Sequence, residues 1–166
     1  MKKSAIFVCA FCFFIVPENL QAQAVEEQLI RETLEDLFRA MELGDSSLAR
    51  NCFASQVTTA TVSRDKANAT VIRHEDSVAG FMKAIGTPHR ETWYEEIWDL
   101  EIRIDGDFAQ AWCDYAFYVD NNFSHCGVDA FHLVRENGAW KIFHLADTRR
   151  KTPCNIPQNI QDKHKS

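Results

Sequence analysis

The chain has 166 residues, of which 46% are hydrophobic and 25% are charged, and its formal net charge is -6. This composition is typical of a globular protein, and its length allows one domain. Only 6 glycines and 4 prolines occur, which excludes collagen-like and low-complexity chains. The negative charge argues against a protein that neutralises nucleic-acid phosphates, so no nucleic-acid partner is expected.

The N-terminus has the layout of a secretory signal peptide. A pair of lysines precedes an apolar run over residues 5–16, and Ala22 and Ala24 occupy the two positions that a signal peptidase reads. The run is too short to cross a bilayer as a permanent helix. We therefore predict a signal peptide over residues 1–24, cleavage near Ala24, and a periplasmic or extracellular mature protein without a permanent membrane span.

The N-terminal half of the mature chain predicts mostly helix. Apolar residues recur at helical spacing in two segments, and Gly44 and Gly86 stop the first and the last of the helices. Asp45 is a suitable cap for a short helix between them. The predicted elements are a helix over 25–43, a helix over 45–51, a strand over 57–62, a loop over 63–73 and a helix over 78–85.

After Pro88 the apolar residues alternate with a period of two, which is typical of strands. Turn-forming dipeptides separate the alternating segments and predict tight hairpins. The predicted strands cover 91–104, 108–119, 123–135 and 139–148, with turns at Asp105-Gly106, Asn121-Asn122 and Asn137-Gly138. They form a four-stranded antiparallel meander. The polar residues 151–166 predict a flexible C-terminal tail.

The order of elements and several short motifs resemble the nuclear-transport-factor-2-like (SnoaL-like) superfamily, which includes ketosteroid isomerase and scytalone dehydratase. The motifs are Ser77–Phe81, Phe123–Phe131, Gly138–Ile142 and Ala146–Arg150. They are most similar to the secreted bacterial proteins of its lumazine-binding branch. The resemblance implies an α+β fold over residues 25–150, in which three N-terminal helices wrap a cone-shaped, curved antiparallel sheet of the cystatin-like type.

Hairpin geometry predicts which side chains share a face of the sheet. With two-residue turns at Asn121-Asn122 and Asn137-Gly138, one face carries aromatic side chains, carboxylates and histidines. The opposite pairs would be Tyr118 with His125, Asp114 with Asp129, and Trp112 with Phe131. A slip of one residue would exchange the two faces.

This face predicts a ligand pocket with aromatic walls and a few polar groups. Two facing carboxylates disfavour double ionisation, so one of them would keep a proton and donate a hydrogen bond. The predicted ligand-binding residues are Trp98, Trp112, Asp114, Tyr118, Asp129 and Phe131. The predicted proton-transfer residues are Asp129, His125 and His144. Alternatively, both carboxylates lie on a solvated face, and the other face packs against the helices.

The resemblance to the superfamily also points to Asp129, independently of the hairpin geometry. The motif Val128–Phe131 resembles the strand that holds the oxyanion-hole aspartic acid of ketosteroid isomerases, and the match falls on Asp129. The isomerase tyrosine and general-base aspartate fall near Leu37 and Thr61. The resemblance therefore does not imply steroid isomerisation by that mechanism.

Four cysteines remain after residue 24, and export would permit disulfides. The predicted registers separate Cys113 from Cys126 by too great a distance for a bond, whereas the tail can return Cys154 to Cys126. Cys126–Cys154 is thus the predicted disulfide, with free buried thiols as the alternative. The sequence has no zinc-ligand spacing, no phosphate loop and no dinucleotide motif, so neither a metal nor a cofactor is expected.

Three functions fit these observations. The first is an exported protein that binds a small organic molecule, cyclic or aromatic. The second is a cofactor-free isomerase, dehydratase or cyclase that acts in the same pocket. The third is a non-catalytic module that forms a homodimer through one face of its sheet.

Overall fold

A long helix packs across a curved sheet in the computed structural model, which describes residues 18–165. Residues 1–17 of the predicted signal peptide lie outside the described residues, and residues 18–24 belong to the first helix. No helix within 18–165 is long and apolar enough to cross a membrane. The elements are α1 Glu18–Leu43, α2 Ser46–Asn51, β1 Phe53–Arg64, β2 Thr70–Glu75, α3 Ala79–Gly86, β3 Trp93–Asp105, β4 Phe108–Val119, β5 Asn122–Glu136, β6 Ala139–Thr148 and α4 Gln158–Lys163.

The six strands form one unclosed sheet in the order β2-β1-β6-β5-β4-β3. Strands β3 to β6 form the predicted antiparallel meander. The sheet also contains one parallel pair, because β1 lies beside β6 and runs in the same direction. Hairpins produce only antiparallel neighbours, whereas β1 and β6 are joined through the rest of the domain, so their relative direction is not restricted by a turn.

The core lies between α1 and one face of the sheet, which we call the inner face. Ile30, Leu34 and Leu37 follow one another at helical spacing on α1, and all three are buried. They pack in one cluster with inner-face residues such as Leu133 and Ile142. Glu26 near the start of α1 accepts a hydrogen bond from the Trp140 indole at 2.8 Å. The sequence pattern of α1 therefore sets the helix on the sheet and leaves the opposite face, the outer face, without a helix layer of this kind.

Two local features of the N-terminal half differ in how well they were predicted. Asp45 caps α2 as expected, because its carboxylate accepts hydrogen bonds from the backbone of Ser47 at 2.9 Å and of Leu48 at 3.0 Å. The predicted loop over 63–73 is wrong, since it contains the end of β1 and the start of β2. Strand β2 is exposed along its whole length, so it has no alternation of apolar residues that would reveal it.

The register between β4 and β5 differs from the prediction by one residue. The turn uses Asp120, with φ of 53°, so that Val119 pairs with Asn122, and a bulge follows next to Tyr118. As a result Asp129 pairs with Cys113, and Asp114 pairs with Val128 instead of Asp129. Because side chains alternate between the faces, this single shift separates Asp114 from Asp129.

The hairpin between β5 and β6 confirms the predicted turn but not the register beyond it. Asn137 and Gly138 both have positive φ, at 54° and 81°, which a tight turn of this kind requires. A bulge then shifts the pairing between His132 and Leu133. Asp129 therefore pairs with Asp147 rather than with Ala146.

A third bulge interrupts β3 at Asp99, which has a φ of 51°. The bulge reverses the alternation, so that Ile97 and Leu100 both pack towards the core. Trp98 lies between them on the outer face and pairs with Asp114.

The C-terminal segment continues beyond the sheet and folds back on the outer face. The structure contains the predicted disulfide between Cys126 and Cys154, while Cys52 and Cys113 are free and buried. Ile160 of α4 is buried in a small cluster with Tyr118 and Trp98. The sequence analysis did not predict α4 or this packing, because a six-residue helix with one apolar anchor has too weak a pattern to recognise.

Candidate functional site

Polar side chains replace the apolar core at one end of the inner face, which we call the open end. The open end lies far from the Asn137-Gly138 turn. It holds the first residues of β3 and β5 and the last residues of β4 and β6. Six titratable residues interact there, and we call them the polar cluster. They are Glu95, Tyr115, His125, Asp129, Asp147 and Arg149.

Asp129 is the centre of the polar cluster, and its side chain is 3% exposed. Within residues 18–165 no N–H or O–H group donates a hydrogen bond to its Oδ2 atom. The half-buried carboxyl group of Glu95 interacts with that of Asp129 and raises its pKa. Neighbouring buried carboxyl groups disfavour double ionisation, so the pair keeps a proton.

The environment determines where that proton resides. Burial and the neighbouring Glu95 raise the pKa of Asp129 well above its usual value. Burial raises the pKa of Glu95 to about 7. Asp129 therefore keeps the first proton, and Glu95 takes up or releases a second proton near neutral pH.

Asp147 differs from this pair because it has strong donors. The Thr61 hydroxyl donates to its Oδ1 atom at 2.6 Å, and Arg149 Nε donates to its Oδ2 atom at 2.7 Å. The Tyr115 hydroxyl lies 3.4 Å from the same Oδ2 atom and 2.9 Å from the carbonyl oxygen of Thr148. Asp147 thus pairs directly with Arg149, whereas Arg149 forms no ion pair with Asp129 and only partly offsets the rise of its pKa.

Gly127 permits this arrangement. A Cβ atom at this position would lie 1.7 Å from the Thr148 carbonyl oxygen and 2.6 Å from Cε1 of Tyr115. No side chain fits in that space, so only glycine lets the Tyr115 ring and the end of β6 approach β5 so closely. The sequence signal is an isolated glycine within a strand, which marks a close approach of another group.

His125 is the only histidine of the polar cluster. Burial and the nearby Arg149 lower its pKa to about 4, so the imidazole is neutral at physiological pH. Its Nδ1 atom lies 3.0 Å from the Ser124 hydroxyl, and its ring centre lies 5.7 Å from that of Tyr115. The polar cluster therefore contains both a neutral imidazole, His125, and a carboxylic acid with a raised pKa, Asp129, which are groups used in acid–base chemistry.

Aromatic rings continue from His125 towards the edge of the sheet. The centre of the Phe117 ring lies 5.2 Å from that of His125 and 6.1 Å from that of Trp93. The imidazole of His89 stacks on Trp93 with ring centres 4.6 Å apart. These rings give the open end an apolar wall next to its polar groups.

A cavity of about 610 Å³ is lined by one member of the polar cluster, Glu95. It runs between the C-terminal half of α1 and the edge strand β3, and Phe38 and Tyr94 belong to its walls. Its charged lining residues are Glu35, Glu42, Glu95, Glu96, Arg39 and Lys163. A larger cavity of about 810 Å³ lies beside β1 and α3, and no member of the polar cluster lines it. The smaller cavity is therefore the candidate site.

The sequence profile of the family described as "Putative lumazine-binding" matches residues 25–145. The chain belongs to this family. Its match covers α1 to most of β6 and thus every member of the polar cluster except Asp147 and Arg149. No curated protein sequence matches the chain.

Solved structures of nuclear-transport-factor-2-like proteins share the fold of this lumazine-binding-family protein. A nuclear-transport-factor-2-like protein of unknown function from Shewanella baltica is 19% identical, with a TM-score of 0.56, over 78% of this chain and 97% of the other. A "Putative Scytalone Dehydratase" from Novosphingobium aromaticivorans is 13% identical, with a TM-score of 0.61, over 84% and 93%. A superfamily protein from Salmonella enterica is 16% identical, with a TM-score of 0.60, over 82% and 98%. These likenesses confirm the predicted α+β, cystatin-like fold class.

The predicted site residues of the family protein divide between the two faces of the sheet. Asp129, His125 and Phe131 lie on the inner face, and Phe131 is wholly buried against Phe38. Trp98, Trp112, Asp114, Tyr118 and His144 lie on the outer face. Sequence reasoning thus placed together two groups of residues that the sheet separates.

The outer-face residues have other neighbours. Trp98 and Tyr118 pack under the C-terminal segment, and His164 stacks on Tyr118 with ring centres 3.8 Å apart. His144 bonds to the Thr58 hydroxyl at 2.8 Å. Trp112 is 47% exposed. None of these four side chains contributes to the polar cluster.

Sequence reasoning did not identify Glu95, Tyr115, Asp147 or Arg149 as members of the site. Alternation in β3 and β4 would have placed Glu95 and Tyr115 on one face, but the bulges hide which face that is. Within the described part of the chain, no group of three or more His, Cys, Asp or Glu side chains is arranged to hold a metal ion.

Proposed function

We propose that the chain is an exported protein that binds a small organic molecule, cyclic or aromatic, at the open end of the inner face. One observation carries the proposal: Asp129 is 3% exposed, and its Oδ2 atom receives no hydrogen bond from a donor within residues 18–165. An unsatisfied buried polar atom costs about 1–3 kcal/mol. A ligand that hydrogen-bonds to this carboxyl group would recover that free energy.

The surroundings of Asp129 support binding of a small molecule. Ligand sites combine mostly apolar walls with a few convergent polar groups, and perturbed pKa values mark such sites. The rings of Trp93 and Phe117 supply the wall, while Glu95 and His125 supply polar groups. The description of the family also names a small molecule as its ligand.

Two observations support export. The apolar run over residues 5–16 and the alanines before residue 25 are typical of a signal peptide. The Cys126–Cys154 disulfide is a bond that persists in oxidising compartments. We propose a periplasmic or extracellular location after cleavage near Ala24, and the homodimer stays a prediction.

A second candidate function is an isomerase, dehydratase or cyclase that needs no cofactor. The observation that favours it is the presence of a protonated acid, Asp129, and a neutral imidazole, His125, in the same cluster. Such a pair would donate and accept protons at two positions of one substrate. This function predicts a bell-shaped pH–rate profile, whereas simple binding predicts no turnover.

The binding proposal is tested by native mass spectrometry of the exported full chain without added ligand, followed by denaturation of the same sample. We expect a mass excess that disappears on denaturation. Asp129→Asn keeps the size of the side chain but removes the acid, and it should lower ligand occupancy or affinity about tenfold, because hydrogen bonds to charged groups contribute about 1.5–3 kcal/mol. If a preparation shows no mass excess, small cyclic compounds would be added to it and the change in its unfolding temperature would be measured.

Asp114→Asn is the matched control, because Asp114 is the same residue type on the neighbouring strand but lies on the outer face. It should leave ligand occupancy unchanged. Equal loss in both variants, or full retention of the ligand in Asp129→Asn, would contradict the proposed site.

A further inference from the structure

We infer that the ligand of the open end is an organic cation, a ring that carries a protonated amine, amidine or guanidine group, held by the carboxyl groups of Glu95 and Asp129. This inference rests on the proposed function and specifies the chemical class of the ligand. Two independent observations lead to it: the excess of carboxylates along the cavity, and the buried carboxyl oxygen of Asp129 without a donor.

The residues that line the cavity carry more negative than positive charge. Four glutamates line it, against one arginine and one lysine. The lysine, Lys163, is already paired with Glu96 at 2.7 Å. Deeper in the site, Arg149 is paired with Asp147, also at 2.7 Å. Among the ion pairs of the described residues, none includes Glu95 or Asp129.

The pair itself has the geometry of a receptor for N–H donors. The carboxyl groups of Glu95 and Asp129 together offer several acceptor oxygens. One of these, Asp129 Oδ2, has no donor among residues 18–165. Amidinium and guanidinium groups present parallel N–H donors that match such oxygens. An anionic ligand would instead meet repulsion from the ionised Glu95 and from the other glutamates of the cavity.

The walls fit a ring attached to the cationic group. Phe38 and Ile97 line the cavity, and Trp93 lies behind Glu95 on the same strand. A cation next to aromatic faces gains about 0.5–2 kcal/mol from the ring quadrupoles. A flat ring would pack against these side chains while its charged group reaches the pair of acids.

A cationic ligand competes with the second proton of the acid pair, the proton on Glu95, and this coupling has a definite sign. Burial raises the pKa of Glu95 to about 7, so Glu95 loses its proton as the pH rises through neutrality. The pair then gains negative charge, and affinity for a cation increases with pH. The other charged and titratable groups around the pair are Glu35, Arg39 and Glu42 on α1, Cys113 and Tyr115 on β4, His125 on β5, Asp147 and Arg149 at the end of β6, and Lys163 on α4.

Three probes of nearly equal size and different charge test the inference: benzamidine as the cation, benzamide as the neutral compound and benzoate as the anion. Binding to the exported full chain would be measured by calorimetry at pH 6 and pH 8, in buffers with different ionisation enthalpies. At pH 8 we expect benzamidine to bind at least about tenfold more tightly than benzamide or benzoate. Its affinity should rise about tenfold from pH 6 to pH 8, with release of protons, because Glu95 has a pKa of about 7.

Glu95→Gln should abolish both the preference for benzamidine and its pH dependence. Glu101→Gln is the matched control, since Glu101 lies on the same strand but is exposed on the outer face, and it should change neither. The pH series and the proton release of the unmodified protein test the inference even if Glu95→Gln does not fold.

Two results would overturn the inference and leave the proposed function intact: benzamide or benzoate binding as tightly as benzamidine, or none of the three binding while Asp129 is still required for retention of a small molecule. Unchanged benzamidine affinity in Glu95→Gln would also overturn it. Failure of the proposed function is distinct, because it requires that Asp129→Asn retain the bound molecule.

Discussion

The two ends of the inner sheet face use the same strands for different purposes. At the closed end, near the Asn137-Gly138 turn, Leu133 and Ile142 are wholly buried beneath α1. At the open end, β5 places Asp129 on the same face, four residues from Leu133, where it interacts with Glu95, which lines a cavity. The change from apolar packing to buried acids occurs within one strand.

The comparison indicates how stability and chemistry are divided in this protein. Close-packed aliphatic residues at the closed end contribute free energy of folding. The carboxyl groups at the open end cost free energy, because they are buried near other negative charges. Such a cost is typical of functional sites, and the closed end offsets it.

The largest expected difference in the free energy of unfolding comes from one substitution at each end. Leu133→Ala removes a wholly buried side chain from the closed end and should lower the free energy of unfolding by about 2–5 kcal/mol. Asp129→Asn should leave the fold intact and raise stability at pH 8, because it removes a buried acid whose charge is disfavoured. Urea unfolding of both variants measures the difference, and a loss in Asp129→Asn as large as in Leu133→Ala would refute the division.

A smaller effect is expected at the backbone of the open end. Gly127→Ala should lower the free energy of unfolding by about 1–3 kcal/mol, because the new Cβ would overlap the Thr148 carbonyl oxygen. Its more specific effect is to displace the Tyr115 ring, which would appear as a changed tyrosine signal in near-ultraviolet circular dichroism. Gly80→Ala in α3 is the control, since its Cβ meets its nearest atom at an ordinary 3.4 Å. An unchanged Tyr115 signal in Gly127→Ala would show that the close approach is not required.

The smallest expected effect is a pH dependence of stability that belongs to the open end alone. The pKa values of Glu95 and Asp129 are raised in the folded state, which therefore binds more protons than the unfolded state, and stability falls as pH rises. His125, with its pKa lowered to about 4, has the opposite effect between about pH 4 and its unfolded value near 6.5. Above pH 6.5 His125 is neutral in both states, so of these three residues only Glu95 and Asp129 still make stability depend on pH.

Between pH 6.5 and pH 8 we therefore expect the free energy of unfolding to decrease, and Asp129→Asn should reduce that slope while Leu133→Ala keeps it. Denaturant unfolding at several pH values measures the slopes. A slope that is the same in Asp129→Asn as in the unmodified protein would mean that the acid pair does not share a proton as described.

Much of the fold could be predicted from local pattern. Helical spacing located α1 and α3, and alternation located β3 to β6, because burial on one face leaves a periodic trace in the sequence. The Cys126–Cys154 disulfide was also predicted correctly. Strand β2 and helix α4 were missed, since one is exposed along its length and the other has a single buried residue, Ile160.

The candidate site was predictable only in part. Asp129 and His125 were identified as proton-transfer candidates, and the structure places both in the polar cluster, whereas it places His144 on the other face. The error came from register. Each of three bulges, in β3, at the β4–β5 pairing and at the β5–β6 pairing, moves side chains by one residue and therefore to the opposite face.

The sequence by itself determined most of the elements, the turn at Asn137-Gly138 and the alternation along β3 to β6, because these depend on neighbouring residues. Only the tertiary structure decided that Glu95, from the edge strand, meets Asp129, two strands away, while Asp114 does not. A bulge changes the hydrogen-bonding register without changing the composition of a strand, so it leaves little trace in the periodicity. The contact between the two acids depends on the sum of such shifts across the sheet.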